Sequence, residues 1–111
     1  MKEVLDFVVS KKLTFRSFKP IDTKQLGSTK KVKCYFGTNL ERYFIFLIHV
    51  KRKMRVLRKD THDFIELHTQ MELLNDSKIK YKYLLIEAPL CSKAKKFLEE
   101  NGWVVWHKEV E

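Results

Sequence analysis

Apolar side chains are densest at residues 43–52, Tyr-Phe-Ile-Phe-Leu-Ile-His-Val-Lys-Arg. From Tyr43 to Val50 the run is nearly unbroken and rich in β-branched and aromatic residues. That pattern predicts a strand over 42–51, buried on both faces at the centre of a sheet. Side chains two apart on a strand share a face, so His49 and Lys51 leave it side by side. Val32 to Phe36 predicts a neighbouring strand, with Gly37 to Glu41 as the hairpin turn between the two. Upstream, Val4, Leu5, Val8, Val9 and Leu13 recur at helical spacing, which predicts a short amphipathic helix over 3–13. Residues 14–31, broken by Pro20 and Gly27, read as an extended segment and a loop.

Beyond the central strand the pattern changes. Residues 51–59, Lys-Arg-Lys-Met-Arg-Val-Leu-Arg-Lys, hold six basic residues in nine. They fit a strand extension, a flexible arm or a helix start equally well. Asp60 or Thr61 is a good N-cap for a helix running to about Asn75, with Phe64, His68, Met71 and Leu74 along one side. Tyr81 to Ile86 is a second apolar strand, stopped by Pro89. Ser92 caps a last helix through Asn101, with Ala94, Phe97 and Leu98 facing inward. Gly102 stands where a helix stop favours a left-handed residue, and Trp103 to Trp106 closes the chain as a strand. The order is α-β-β-(β)-α-β-α-β. A strand–helix–strand ending implies parallel crossovers and the hairpin implies antiparallel pairing. The fold class is therefore α/β, an α+β mixed sheet with helices on its faces.

Length and composition narrow the picture. The 111 residues make a single domain, 1–111, and 44% hydrophobic residues supply its core. Cys34 and Cys91 have no metal or disulfide spacing, and no stretch has the ~18 apolar residues of a membrane span. The expectation is a cytoplasmic protein that does not enter a membrane. Charge points to a partner. Residues 1–59 carry 16 Lys/Arg against 4 Asp/Glu, a net of +12, while residues 60–111 carry 7 against 10, a net of −3. A basic half on a small domain is an electrostatic footprint for a polyanion, a nucleic acid above all. There is no Ser-His-Asp signature, phosphate-cradling Gly-rich loop or Cys-x-x-Cys, and His62 and His68 are six apart, not the three or four that share a helical face.

Several segments also match a known pattern. Val32-Lys33-Cys34 is followed by Gly37, then by Ile48-His49-Val50-Lys51-Arg52, then by Gln70-Met71 in the helix. Glu87-Ala88-Pro89 ends the next strand, and Ala94-Lys95-Lys96-Phe97-Leu98-Glu99-Glu100-Asn101-Gly102 follows. Over about residues 32–107 this resembles the PD-(D/E)xK restriction-endonuclease-like superfamily, and in particular the C-terminal nuclease domain of NucS-type endonucleases. The resemblance implies a restriction-endonuclease-like core. The stretch between Lys51 and Gln70 is longer than in the family. The family's aspartate falls at Lys33 and its glutamate at His49, while its lysine (Lys51) and helix glutamine (Gln70) are kept. In that family two carboxylates hold Mg²⁺, which activates a water and stabilises the leaving oxygen. Lysine places a cation where the metal would sit, and histidine suits Mg²⁺ poorly. On this alignment the ordinary metal site is absent.

The candidate catalytic residues are Lys51, His49 and Glu66. His49 fits a softer-metal ligand, a general base, a phosphate contact or a plain strand-end residue. Lys33, Lys51, Arg52, Lys53, Arg55, Arg58, Lys59 and Gln70 are the candidate nucleic-acid contacts. Their lysines and arginines would give salt-sensitive, sequence-independent affinity. Tyr35, Tyr43 and the phenylalanines read as core rather than a base-stacking platform. The leading expectation is a nucleic-acid-binding protein with a degenerate nuclease site, acting alone or as the non-catalytic partner of a nuclease. An alternative is an endonuclease dependent on Mg²⁺ or Mn²⁺, with rearranged carboxylates such as Glu66 with Glu87 or Glu41. A third is a structural or interaction subunit, a homodimer included.

Overall fold

A computed structural model of the chain describes residues 6–8, 15–27 and 32–108. Strands β1 (Phe15–Ile21), β2 (Lys33–Asn39), β3 (Phe44–Lys51), β4 (Tyr81–Glu87) and β5 (Trp103–His107) lie in that order across one sheet. The first three pair antiparallel and the last three parallel. Helix α1 (Arg58–Asn75) connects β3 to β4, and α2 (Ser92–Glu100) connects β4 to β5. Successive crossovers of one hand in one direction put both helices on the same sheet face. There Phe64, Leu67 and Met71 of α1 and Leu98 of α2 pack on Phe46, Ile48, Leu84 and Ile86. Residues 6–8 are helical and lie on the opposite face, where Val8 packs with Tyr35 and Leu47. The rest of the helix expected over 3–13 lies outside the described residues. The central strand is as expected: Ile45 to Val50 are all buried, with β2 on one side and β4 on the other.

The extra strand of the expected order is found upstream. Residues 15–21, read as an extended segment, form β1 at the sheet edge, where Pro20 is tolerated because an edge strand has an unpaired side. The pattern hid it because its burial runs every third residue, not every second. Gly37 lies inside β2 rather than in the turn. A Cβ there would sit 2.1 Å from the Ser17 carbonyl oxygen, so the close approach of β1 requires glycine. Asn39 makes the turn instead: its side-chain oxygen accepts the Glu41 and Tyr43 N–H groups at 3.0 and 2.9 Å.

The basic stretch resolves into three parts. Lys51 ends β3, Arg58 begins α1, and residues 52–57 arch between them, with Val56 fully buried in a parallel bridge to Leu90. Helix α1 starts earlier than Asp60 or Thr61 implied. Asp60 lies within its first turn, and its carboxylate accepts the Leu57 N–H at 2.8 Å. The buried line of α1 is Thr61, Phe64, Leu67 and Met71, while Leu74 is exposed beyond the end of the core. Helix α2 has Cys91 rather than Ser92 at its N-cap, and Gly102 is left-handed as expected, with φ 83°. Among the described residues no helix is long and apolar enough to cross a membrane.

Candidate functional site

Strand register gathers the candidate residues at one end of the sheet. Lys33 is opposite His49, and Lys51 is level with Glu87, the last residue of β4. Neighbouring strands lie ~4.8 Å apart, so these four positions form one short ladder at the strand exits. His49 is only 5% exposed, and its Nε2 lies 2.5 Å from Glu87 Oε2. An ionised carboxylate only accepts, so the imidazole carries its hydrogen at Nε2 and donates it. This bond satisfies a carboxylate that is itself 14% exposed. Lys108 Nζ lies 3.8 Å from the other oxygen, Oε1. Chain order hid the His49–Glu87 pair. Its signal was the parallel register, which sets the end of β4 beside the end of β3.

This donor set does not fit a Mg²⁺ centre of the kind the family resemblance implies. Such an ion needs several oxygen ligands at short range. Here a cation faces His49 across the ladder, and the adjacent carboxylate is bonded to an imidazole. Among the described residues no three His, Cys, Asp or Glu side chains converge. Glu66 therefore does not join His49 and Glu87. It accepts a hydrogen bond from the Gln70 side chain at 3.0 Å on the exposed side of α1. Glu41 sits in the β2–β3 turn at the other end of the sheet, about 20 Å away by strand rise. Asp60 and Asp63 lie nearer. They line a cavity of about 330 Å³ together with Lys51, Arg52, Met54 and Phe64.

The basic residues divide by task. Arg52 is a structural pin, donating to the Met54 and Arg55 carbonyls at 3.1 and 3.2 Å and to Asp60 Oδ2 at 2.8 Å. Arg58 lays its guanidinium 5.1 Å from the Phe97 ring centroid on α2. Lys33, Lys51, Lys53, Arg55 and Lys59 are exposed. Tyr35 is buried and stacked on Phe18, as core. Tyr43 is not core: it is 44% exposed, with Lys80 Nζ 4.9 Å from its ring centroid. Burial pushes the Cys34 thiol up to about 12. The N–H groups of Ala94 and Lys93 at the start of α2 lower the Cys91 thiol instead. Desolvation lowers His68, against a raising hydrogen bond to the Ile79 carbonyl and the nearby Glu72 carboxylate.

No protein-family model and no curated protein matches the chain. Solved structures do. EndoMS in its apo form superposes with a TM-score of 0.57 at 18% identity, over 99% of this chain and 46% of that one. A repair endonuclease from Pyrococcus abyssi gives 0.57 at 16%, over 97% and 46%. An EndoMS–dsDNA complex gives 0.56 at 15%, over 97% and 44%. The chain has a NucS-like nuclease-domain fold. It spans about half the length of the endonucleases it matches. At these identities the likeness is one of fold.

Proposed function

We propose that this chain is a nucleic-acid-binding protein, for DNA ahead of RNA, on a nuclease fold whose metal-binding carboxylates have been replaced. It acts alone or as the non-catalytic partner of a nuclease. The observation that carries the reading is the ladder itself: Lys33 opposite His49, with the carboxylate of Glu87 held by that histidine. Lys33 and Lys51 stand in register with His49 and Glu87, Lys108 Nζ lies 3.8 Å from Glu87 Oε1, and Lys53, Arg55 and Lys59 follow along the arch and the start of α1, so cations outnumber the carboxylates of Glu87, Asp60 and Asp63 at this end of the sheet. A surface of that sign meets phosphate directly, without a metal between them. One of the matched structures is a complex of EndoMS with double-stranded DNA, which supports a duplex as the partner.

A second reading, an endonuclease using Mg²⁺ or Mn²⁺ with rearranged carboxylates, draws on one observation: Asp63 shares a cavity with Lys51. One experiment separates the two. Labelled duplex, branched and single-stranded DNA are incubated with the protein in Mg²⁺ or Mn²⁺ against EDTA, alongside Lys51→Ala. Salt-sensitive shifts without cleavage are the expected result. Metal-dependent cleavage that Lys51→Ala abolishes would overturn the first reading in favour of the second.

A further inference from the structure

Met54 is 76% exposed, more than any other large apolar side chain among the described residues. A lone exposed methionine is ordinary. Its setting is not. The backbone around it is fixed by one guanidinium, since Arg52 donates to the carbonyls of Met54 and Arg55 and to the Asp60 carboxylate. The far foot of the arch is also fixed: the Val56 N–H donates to the Pro89 carbonyl at 2.8 Å, and the Cys91 N–H to the Val56 carbonyl at 3.0 Å. Residues 53–55 are thus exposed as Lys-Met-Arg, an apolar side chain between two cations, and Met54 also lines the cavity that holds Asp63 and Asp60, the latter bonded to Arg52. The most exposed of the other apolar residues are flanked in sequence by an acid rather than by bases. Leu73, 69% exposed, lies next to Glu72 and near Asp76, and Leu40, 62% exposed, lies next to Glu41. Acidic neighbours repel a polyanion, and basic ones attract it.

Resting on the nucleic-acid reading above, we propose that the 52–57 arch is a preformed wedge for duplex DNA. Met54 enters between adjacent base pairs, and Lys53 and Arg55 hold the flanking phosphates. Apolar side chains that enter a base step unstack it and bend the duplex, and the extra contact of the bent form offsets the cost. Holding the loop before binding removes the ordering entropy that a flexible arm would lose. The arch leads directly from Lys51, so the wedge and the strand-exit lysines meet the same stretch of duplex.

The test is a short duplex with 2-aminopurine in place of each adenine of one strand, titrated with wild type, Met54→Ala and Arg52→Lys over a range of salt. Fluorescence reports unstacking, and the salt slope reports phosphate contacts. Wild type should raise fluorescence on binding. Met54→Ala should abolish the rise and weaken binding about tenfold, with an unchanged salt slope because no charge is removed. Arg52→Lys keeps the charge but lacks the planar fork, so it should lower the rise at the same slope. Binding by wild type with no rise, or an equal rise with Met54→Ala, would overturn the wedge and leave the basic surface standing. No salt-dependent binding by wild type would overturn the wedge and the nucleic-acid reading together.

Discussion

Replacing His49 with alanine should expose how the strand exits are held. The imidazole is 5% exposed and gives its Nε2–H to a carboxylate that is 14% exposed. Hydrogen bonds to a charged group contribute about 1.5–3 kcal/mol, and a buried ion left alone costs more than the bond alone. Lys108 lies 3.8 Å from the second oxygen and offsets part of that penalty. The expected loss for His49→Ala is about 3 kcal/mol, near the lower end for a broken buried pair. Glu87→Gln keeps an acceptor but removes the charge, and should cost about 1 kcal/mol. In the double variant no carboxylate remains to be stranded, so the two losses should fall short of additive by about 1–2 kcal/mol. Urea denaturation of wild type, both single variants and the double gives the four free energies. A coupling within about 0.5 kcal/mol of zero would refute the argument, because it would mean Glu87 is satisfied without His49.

Other consequences follow from the same geometry. Gly37→Ala places a Cβ 2.1 Å from the Ser17 carbonyl, so β1 must move; the expected cost is about 2–3 kcal/mol by urea denaturation, with amide exchange rising across residues 15–21. His68 binds its proton less readily folded than unfolded, because burial disfavours its charged form. Stability should therefore be full above the ordinary histidine value of about 6.5 and fall as pH drops below it, until the folded value is also passed. NMR titration of the His68 ring should give a midpoint below that value, and a midpoint above it would reverse the sign. Lys53→Ala and Arg55→Ala should each lower the salt slope of duplex binding by about one, equally for all sequences, as loss of one phosphate contact does. The same change at Lys24, in the 3-10 turn Thr23–Leu26, should leave the slope unaltered.

The sequence made the centre of this fold legible and its edges less so. A strand buried on both faces must be apolar at every position, and β3 is; a parallel crossover must carry a helix, and the caps around Ser92 and Gly102 mark one to within a residue. β1 left a fainter trace, because an edge strand meets the core on one side and at few positions. Gly37 was misleading for a related reason: glycine serves a close backbone approach as well as a turn, and only the position of Ser17 distinguishes the two. Leu74 follows the helical period of α1, but the core ends one turn earlier at Met71. At the candidate site, single positions were readable and their partnerships were not. His49 and Lys51 could be placed on one face from spacing alone. That Glu87 is His49's partner depends on register across 38 residues, and that Arg52 pins an arch depends on where the Met54 and Arg55 carbonyls turn.

Arg52 shows why charge counting reads such a stretch imperfectly. Six basic residues between Lys51 and Lys59 look interchangeable in sequence, yet Arg52 has two acceptors within its own loop and a third in the first turn of α1, and Arg58 lies against an aromatic ring. Arginine's rigid fork suits it to such multidentate holding, whereas lysine keeps a mobile, strongly hydrated charge. The division of labour follows: Arg52 and Arg58 set the shape of the arch and its seat on α2, and Lys53, Arg55 and Lys59 present charge to solvent. Removing Arg52 would thus act on binding mainly through the position of its neighbours, and removing Lys53 through charge alone. A polyanion approaching this end of the sheet meets the exposed cations of the arch and the lysines of the ladder, with the carboxylates of Asp60 and Asp63 beside Lys51 and Arg52, and that of Glu87 already bonded to an imidazole. On the proposed reading, the hydrogen bond from His49 keeps that carboxylate inward, so the lysines rather than the glutamate face the phosphates.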